Sequence, residues 1–177
     1  MGAGKGEKGM GRNKKKVRLI PVIPAILLLL TGCSARELED REFVEAMEIE
    51  WNGETLMGGF GSFLVEGNSV EELQKQYQNR IPEYLDLGHV KVLILGSRLL
   101  SDREVLKEVL TELEKKPVLA RNILVLSHEY QNNESFLEEM KEKGIVPGEY
   151  LSDLYKNNPD KRQNSTATLG DLLSMPE

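Results

Sequence analysis

Cys33, His89 and His128 are of the two residue types that most often serve as a nucleophile, a general base or a zinc ligand. A cysteine nucleophile needs a histidine base and a third group that orients the base, and nothing around Cys33 indicates the rigid turn that presents such a nucleophile. The two histidines are 39 positions apart with no cysteine beside either, which does not match the ligand spacing of a zinc site. The residues therefore predict no catalytic group, no metal site and no bound cofactor.

Cys33 is the chain's only cysteine, so it forms no disulfide within the chain. Besides a nucleophile, it could be a buried inert thiol or a site of lipid attachment. Residues 1–32 hold seven basic residues against one acidic residue, and residues 20–30 carry no charge at all. A basic start, an apolar run of about 7 to 15 residues and a small-residue cleavage site make up a secretory signal, whereas a membrane span takes about 20 apolar residues.

The residues at the end of this apolar run favour lipid attachment. Leu30, Thr31, Gly32 and Cys33 resemble a bacterial lipobox, in which the cysteine thiol receives a diacylglyceryl group and the signal is cut just before it. One acyl chain holds a protein at a membrane only marginally, whereas two or more anchor it stably. We therefore predict lipidation at Cys33 and a mature chain that begins there, bound to the outer face of a membrane.

The charge of the remaining chain limits its partners. From Cys33 onward, 16 basic residues stand against 28 acidic ones, which gives a net charge of −12. Because a nucleic acid is bound by a surface that neutralises its phosphates, we predict no nucleic-acid partner. The length suits one domain with its own core, and we predict a signal over 1–32, a charged tether over 33–41 and a single α/β domain over 42–177.

Local patterns predict the elements at the start of that domain. Asn52-Gly53 separates two partly apolar segments, 43–51 and 54–65, and this dipeptide favours a tight turn between two antiparallel strands. Ser69 with Glu72 three residues later is a capping box that opens a helix, whose inner face holds Val70, Leu73 and Tyr77.

Two apolar runs farther along indicate buried strands, at 89–96 and 122–127, which are typical of a sheet covered on both faces. Between them, Ser101 with Glu104 predicts a second capped helix, so the segment is a strand–helix–strand crossover. Short helices follow near 135–143, 149–156 and 168–174. The predicted fold class is α/β, or α+β, with a mixed sheet of about four strands and flanking helices.

Four segments together resemble the N-terminal domain of the Ger(x)C lipoproteins, the C subunits of nutrient-germinant receptors in endospore-forming bacteria. They are "GCSARELEDREFVEAMEIEWNG", "GNSVEELQKQYQNR", "LDLGHVKVLILGSRLL" and "ARNILVLSHE". The most specific match is the run from Gly88 to Val92, which opens a strand that ends in Gly96, and "TLGDLL" at 168–173 resembles the segment that closes that domain. The family has a Gly-Ile-Asp-like triplet where this chain has Glu48-Ile49-Glu50.

The resemblance implies a function outside catalysis. The chain would be a lipid-anchored, non-enzymatic subunit of a germinant receptor on the outer face of the spore's inner membrane, and it would support receptor assembly or signalling. Its partners would be membrane lipid, through Cys33, and the integral membrane subunits of the receptor. Because Ger(x)C proteins carry further domains after this one, the resemblance implies a shortened family member.

A small ligand-binding surface lipoprotein is the alternative. Open α/β sheets bind ligands in the crevice at the carboxyl ends of their strands, and His128-Glu129 follows the second buried strand directly. This alternative predicts a concave pocket with converging polar groups at the carboxyl ends of the strands over 90–95 and 123–127. His89, at the start of its strand, is better explained by structural hydrogen bonds.

Overall fold

The computed structural model describes residues 1–2, 40–130, 134–158 and 167–174. The predicted lipobox, Leu30 to Cys33, and the signal before it lie outside the described residues, so these assignments stay predictions. The chain divides into two compact units, residues 1–36 and 37–177. Every helix and strand described below belongs to the second unit.

The described part of the second unit contains eight β-strands and six α-helices. The strands are β1 (Arg41–Phe43), β2 (Ala46–Trp51), β3 (Leu56–Gly59), β4 (Leu64–Gly67), β5 (Tyr84–Asp86), β6 (Val92–Gly96), β7 (Leu124–His128) and β8 (Ala167–Thr168). The helices are α1 (Val70–Gln78), α2 (Ser97–Ser101), α3 (Arg103–Glu114), α4 (Phe136–Glu142), α5 (Pro147–Lys156) and α6 (Leu169–Leu173). A short 3₁₀ turn, Leu87–His89, joins β5 to β6.

Six strands form one open mixed sheet in the order β4-β3-β2-β6-β7-β8. The three central strands, β2, β6 and β7, run parallel, whereas β3 is antiparallel to β2 and β8 is antiparallel to β7. The remaining strands, β1 and β5, pair in parallel as a separate two-stranded ribbon. A mixed sheet with flanking helices is therefore confirmed, but the main sheet has six strands rather than about four.

One of the additional strands arises because the second segment of the predicted hairpin forms two strands, β3 and β4, and not one. β2 and β3 are antiparallel, as the Asn52-Gly53 turn predicted. The predicted strand over 54–65, however, turns back after β3 at Gly61, whose φ of 116° is open to glycine but strained for other residues. The first turn also spans four residues, because Asn52 Oδ1 accepts hydrogen bonds from the backbone N–H groups of Glu54 and Thr55.

Helices cover both faces of the sheet. Met47 and Ile49 of β2 and Leu93 and Leu95 of β6 belong to the larger core cluster, together with buried residues of α1, α3 and α6. Alternate residues of the same strands point the other way. They pack in a second cluster with residues of α4 and α5, and its strand members are Ala46, Val92 and Ile94.

One predicted helix cap is confirmed and the other is wrong. Ser69 precedes α1 and its hydroxyl accepts a hydrogen bond from Glu72 N at 3.0 Å, whereas the reciprocal bond of a capping box is replaced by one from Asn68 N to Glu72 Oε2 at 2.9 Å. At the second site α3 begins one residue later than predicted, because the carboxylate of Asp102 accepts from Val105 N at 3.2 Å. Ser101 instead ends α2 and donates to Ser97 O at 2.7 Å. A predicted buried strand at 122–127 is β7, and it is only partly buried.

Candidate functional site

The most unusual polar residues in the described chain are two glutamates on the central strand β2. Glu48 is 1 % exposed and Glu50 is 2 % exposed. Because side chains alternate along a strand, both carboxylates lie on the same face of the sheet as Ala46, the face that α4 and α5 cover. A buried carboxyl group is costly unless hydrogen bonds replace its water, so the partners of each decide what the pair can do.

Glu48 is bound by three donors that arrive from one segment of the chain. Its Oε2 accepts hydrogen bonds from Tyr130 Oη at 2.8 Å and Phe136 N at 3.1 Å, and its Oε1 accepts from Ser135 Oγ. Ser135 is also the N-cap of α4 and accepts from Glu138 N at 3.0 Å. Glu48 therefore holds the first turn of α4 against the sheet.

Burial sets the ionisation of this network. Desolvation raises the pKa of Glu48, and it outweighs the hydrogen bonds from Ser135, Tyr130 and the backbone, which lower that pKa. The same burial, together with the nearby carboxylates, raises the pKa of Tyr130 far above its ordinary value. Tyr130 thus stays protonated and serves as a hydrogen-bond donor.

Glu50 binds backbone instead of side chains. Its Oε1 accepts from Trp51 N at 2.7 Å and from Leu99 N, in α2, at 3.0 Å. Its Oε2 is buried and has no hydrogen-bond partner among the described residues. Glu50 therefore holds the first turn of α2 at the carboxyl end of β2, as Glu48 holds α4.

Glycines on the neighbouring strands make room for both carboxylates. Glu48 pairs with Gly59 across β2 and β3, and a Cβ at Gly59 would lie 2.6 Å from Glu48 Oε1. A Cβ at Gly96, the last residue of β6, would lie 2.1 Å from Glu50 Cδ. A side chain at either glycine would therefore have to displace a buried carboxylate.

His128 ends β7 beside Gly96 on the same sheet, where the sequence predicted it. Its ring packs edge-on against Tyr130, with 4.9 Å between ring centroids, and lies 4.3 Å from the ring of Phe136. Burial lowers the pKa of His128, and the charges of Glu139, Glu50 and Glu129 oppose that effect only in part. The imidazole thus packs against the rings of Tyr130 and Phe136, and burial favours its neutral form.

His89 lies far from this cluster in the fold, at the start of β6 rather than at the end of a strand. Its ring contacts Phe43 edge-on, with 4.8 Å between centroids. The structure therefore keeps the two histidines at opposite ends of the parallel strands. Among the described residues, no group of three or more His, Cys, Asp or Glu side chains is placed to hold a metal ion.

A cleft of about 490 Å³ opens beside the carboxyl ends of β2 and β6. Its lining combines Trp51 with serines and charged side chains of both signs, namely Ser97, Arg98, Ser101, Asp102, Arg103 and Glu104. The ligand-binding alternative predicted a pocket at the carboxyl ends of β6 and β7. Neither His128 nor Glu129 lines this cleft. Glu50, near the same end of β2, uses Oε1 to bind backbone amides.

Comparison with known proteins identifies the domain that holds these residues. Residues 34–175 match a family model described as the spore germination protein N-terminal domain. The chain belongs to this family. No curated protein and no solved structure matches the chain.

Membership of the spore germination family confirms the resemblance found in the four sequence segments and gives the chain a role in germination. The matched range starts directly after Cys33 and includes Glu48, Glu50 and their partners. In the described part of the chain, no helix has the length and apolar character needed to cross a bilayer.

Sequence reasoning did not identify Glu48 and Glu50 as buried residues of this germination domain. Their spacing, acidic residues at alternate positions of a strand, is typical of a face exposed to water. One signal was available for Glu50, since the Gly-Ile-Asp-like triplet of the Ger(x)C proteins places an acidic residue at that position. For Glu48 the only local hint was the pair of glycines, Gly58 and Gly59, in the facing strand.

Proposed function

We propose that this chain is a lipid-anchored, non-enzymatic subunit of a spore nutrient-germinant receptor, where it supports receptor assembly or signalling. The observation that carries the proposal is the match of residues 34–175 to the spore germination N-terminal domain. That match begins at residue 34, directly after the lipobox cysteine with which a lipidated mature chain would begin.

The anchor is the thiol of Cys33, with Leu30, Thr31 and Gly32 as the lipobox. In this proposal residues 1–32 are removed as a signal, residues 33–41 form the tether and residues 42–177 form the domain. Two or more acyl chains give stable residence at a membrane. The domain then lies on the outer face of the cytoplasmic or inner spore membrane, beside the receptor's integral membrane subunits.

The buried polar groups support a role outside catalysis. A general base or nucleophile must reach its substrate directly or through one water. The Glu48 carboxylate is enclosed by Tyr130, Ser135 and Phe136, and Glu50 is buried and binds two backbone amides through Oε1. Both groups fix helices to the sheet, which is a structural role.

The proposal is tested by germination of spores that lack the gene and are complemented with wild type, Cys33→Ser or Ser34→Ala. We expect the deletion to slow the fall in optical density after at least one nutrient, with no effect on a trigger that bypasses nutrient receptors. Wild type and Ser34→Ala should restore the response, and Cys33→Ser should not. Normal responses of the deletion strain to every nutrient would contradict the proposal.

Calorimetry separates the subunit from a lipoprotein that binds the germinant itself. We expect no heat of binding when amino acids or sugars are titrated into the purified mature protein. Saturable heat that disappears in Arg98→Ala, which alters the cleft beside β6, would instead favour direct ligand binding.

A further inference from the structure

The ribbon of β1 and β5 exposes two aromatic side chains to solvent. Phe43 is 39 % exposed and Tyr84 is 44 % exposed. Arg41 pairs with Tyr84 and Phe43 pairs with Asp86, and side chains that pair in register point to the same face of a sheet. These four side chains therefore share one face, whereas Leu85 points the other way and is buried in the core.

This exposed face continues beyond the ribbon onto apolar groups nearby. The ring of Phe43 meets that of His89, and Val118, which is 47 % exposed, has its Cγ2 3.5 Å from the position a Cβ of Gly88 would take. We call this surface the outer ribbon face. Its members are Arg41, Phe43, Tyr84, Asp86, His89 and Val118.

The charges on the outer ribbon face neutralise each other. Arg41 Nη1 lies 3.0 Å from Asp86 Oδ2. The hydrogen bond from Gly88 N, and then the bond from Arg41, lower the pKa of Asp86, so the carboxylate stays ionised and paired. An ion pair between two aromatic rings suits the boundary between water and an apolar phase, where rings with one wet edge are favoured.

The sequence places this face close to the anchor. Arg41 follows Cys33 by eight residues, and a fully extended chain spans at most about 3.3 to 3.6 Å per residue. The start of β1 therefore lies within about 30 Å of a lipid-bearing Cys33. A tether this short keeps the ribbon within reach of the bilayer.

We propose that the outer ribbon face docks on the lipid bilayer, with the rings of Phe43 and Tyr84 at the level of the lipid headgroups. This inference rests on the lipid anchor of the proposed function. Tyrosine and tryptophan are enriched at this level of a membrane, and burial of apolar area there, such as the ring of Phe43, strengthens attachment. Docking would turn the opposite end of the parallel strands, with α2, away from the bilayer and towards protein partners.

The size of the face favours a bilayer over a second protein. Stable protein interfaces bury about 800 Å² on each partner and involve about 20 to 30 residues a side. The outer ribbon face has six members, on two strands of three residues each and the segments beside them. A surface this small buries too little area to bind another protein stably. Attachment to a nearby bilayer requires only that a few rings insert into it.

Quenching by brominated lipid tests the proposal on the mature lipidated protein. Trp51 is the only tryptophan, so Trp51→Phe gives a silent background for Phe43→Trp and Tyr84→Trp. The matched control is Leu100→Trp, which is also on the surface, 38 % exposed, but in α2 at the other end of the strands. Each variant is reconstituted in phosphatidylcholine–phosphatidylglycerol vesicles with plain or brominated acyl chains.

We expect brominated lipid to reduce the emission of tryptophan at positions 43 and 84 and to leave position 100 unchanged. Absence of quenching at 43 and 84 in protein whose mass shows the lipid overturns the docking proposal alone. Quenching equal at all three positions also overturns it, because the domain would then have no preferred face. Protein whose mass shows no lipid at Cys33 overturns the anchor, and the docking proposal fails with it.

Discussion

The regions at the two ends of strand β2 depart in opposite ways from the usual pattern, in which polar residues are exposed and large apolar residues are buried. Towards its carboxyl end, Glu48 and Glu50 are polar and buried. Just before its amino end, Phe43 in β1 is exposed, and so is Tyr84 in β5, the strand that pairs with β1. Polar groups inside and large apolar groups outside are the two observations that call for an explanation in a folded protein.

The buried carboxylates and the exposed rings differ in where their interactions lie. The carboxylates find their partners within the domain, because Glu48 accepts from side-chain and backbone donors and Glu50 Oε1 accepts from two backbone amides. The rings of Phe43 and Tyr84 are instead exposed to solvent, and Phe43 follows by ten residues the cysteine that we propose to be lipidated. The buried end therefore explains how the domain holds together, and the exposed end indicates where it meets its surroundings.

Among the changes at the two ends of β2, removal of the Glu48 carboxylate should cause the largest loss of stability. Glu48→Ala leaves the hydroxyls of Tyr130 and Ser135 and the N–H of Phe136 without an acceptor, and an unsatisfied buried group costs about 1 to 3 kcal/mol. We expect the free energy of unfolding, measured in urea, to fall by about 3 to 5 kcal/mol. The isosteric Glu48→Gln keeps an acceptor oxygen and should lose about 1 kcal/mol. Equal losses in the two variants would show that the hydrogen bonds do not matter.

Gly96→Ala should lower the free energy of unfolding by displacing the Glu50 carboxylate. The added Cβ would lie 2.1 Å from Glu50 Cδ, so the carboxylate must leave the amides of Trp51 and Leu99, at a cost of about 2 to 3 kcal/mol. Glu50→Ala removes the obstacle, and the loss caused by Gly96→Ala should be smaller in that background by about 1 kcal/mol or more. Additive losses in the double-mutant cycle would argue against this contact.

The stability should depend on pH through Glu48, with a defined sign. The folded pKa of Glu48 is raised above its ordinary value of 4.5, so between these two values the folded state binds more protons than the unfolded state. Stability contributed by Glu48 is then full below 4.5 and falls as pH rises, by at most about 1.4 kcal/mol per pH unit. We expect wild type to lose stability relative to Glu48→Gln between pH 4.5 and neutral pH, as followed by urea unfolding. A relative gain over this range would contradict the sign.

The exposed rings should contribute least to the fold. Phe43→Ala removes one edge contact with His89 and should change the free energy of unfolding by less than about 1 kcal/mol. Phe60 is the matched control, since it is 2 % exposed in the core and its change to alanine should cost about 3 to 5 kcal/mol. A loss at Phe43 as large as that at Phe60 would mean that the ring belongs to the core and not to a docking surface.

Local signals were enough to predict part of this fold. The turn at Asn52 and Gly53, the cap at Ser69 and the continuous apolar run of β6 act within a few residues, and the structure confirms the elements that they predicted. The cap at Ser101 was wrong by one residue, because Asp102 beside it is an equally good capping group.

The rest depends on pairings between distant residues. Each strand of the ribbon has only three residues, and Arg41 pairs with Tyr84, 43 positions away, so no short window shows either strand. The donors to Glu48 are 82 to 88 positions away in sequence. A strand with alternating glutamates looks solvent-exposed until those donors are known.

The central claim is that Cys33 ties this germination domain to a membrane, and fatty-acid labelling tests it most directly. Cells that express wild type, Cys33→Ser or the control Ser34→Ala are grown with a labelled fatty acid, and the label is measured in the purified protein. We expect label in wild type and Ser34→Ala and none in Cys33→Ser. Equal label in wild type and Cys33→Ser would contradict the account.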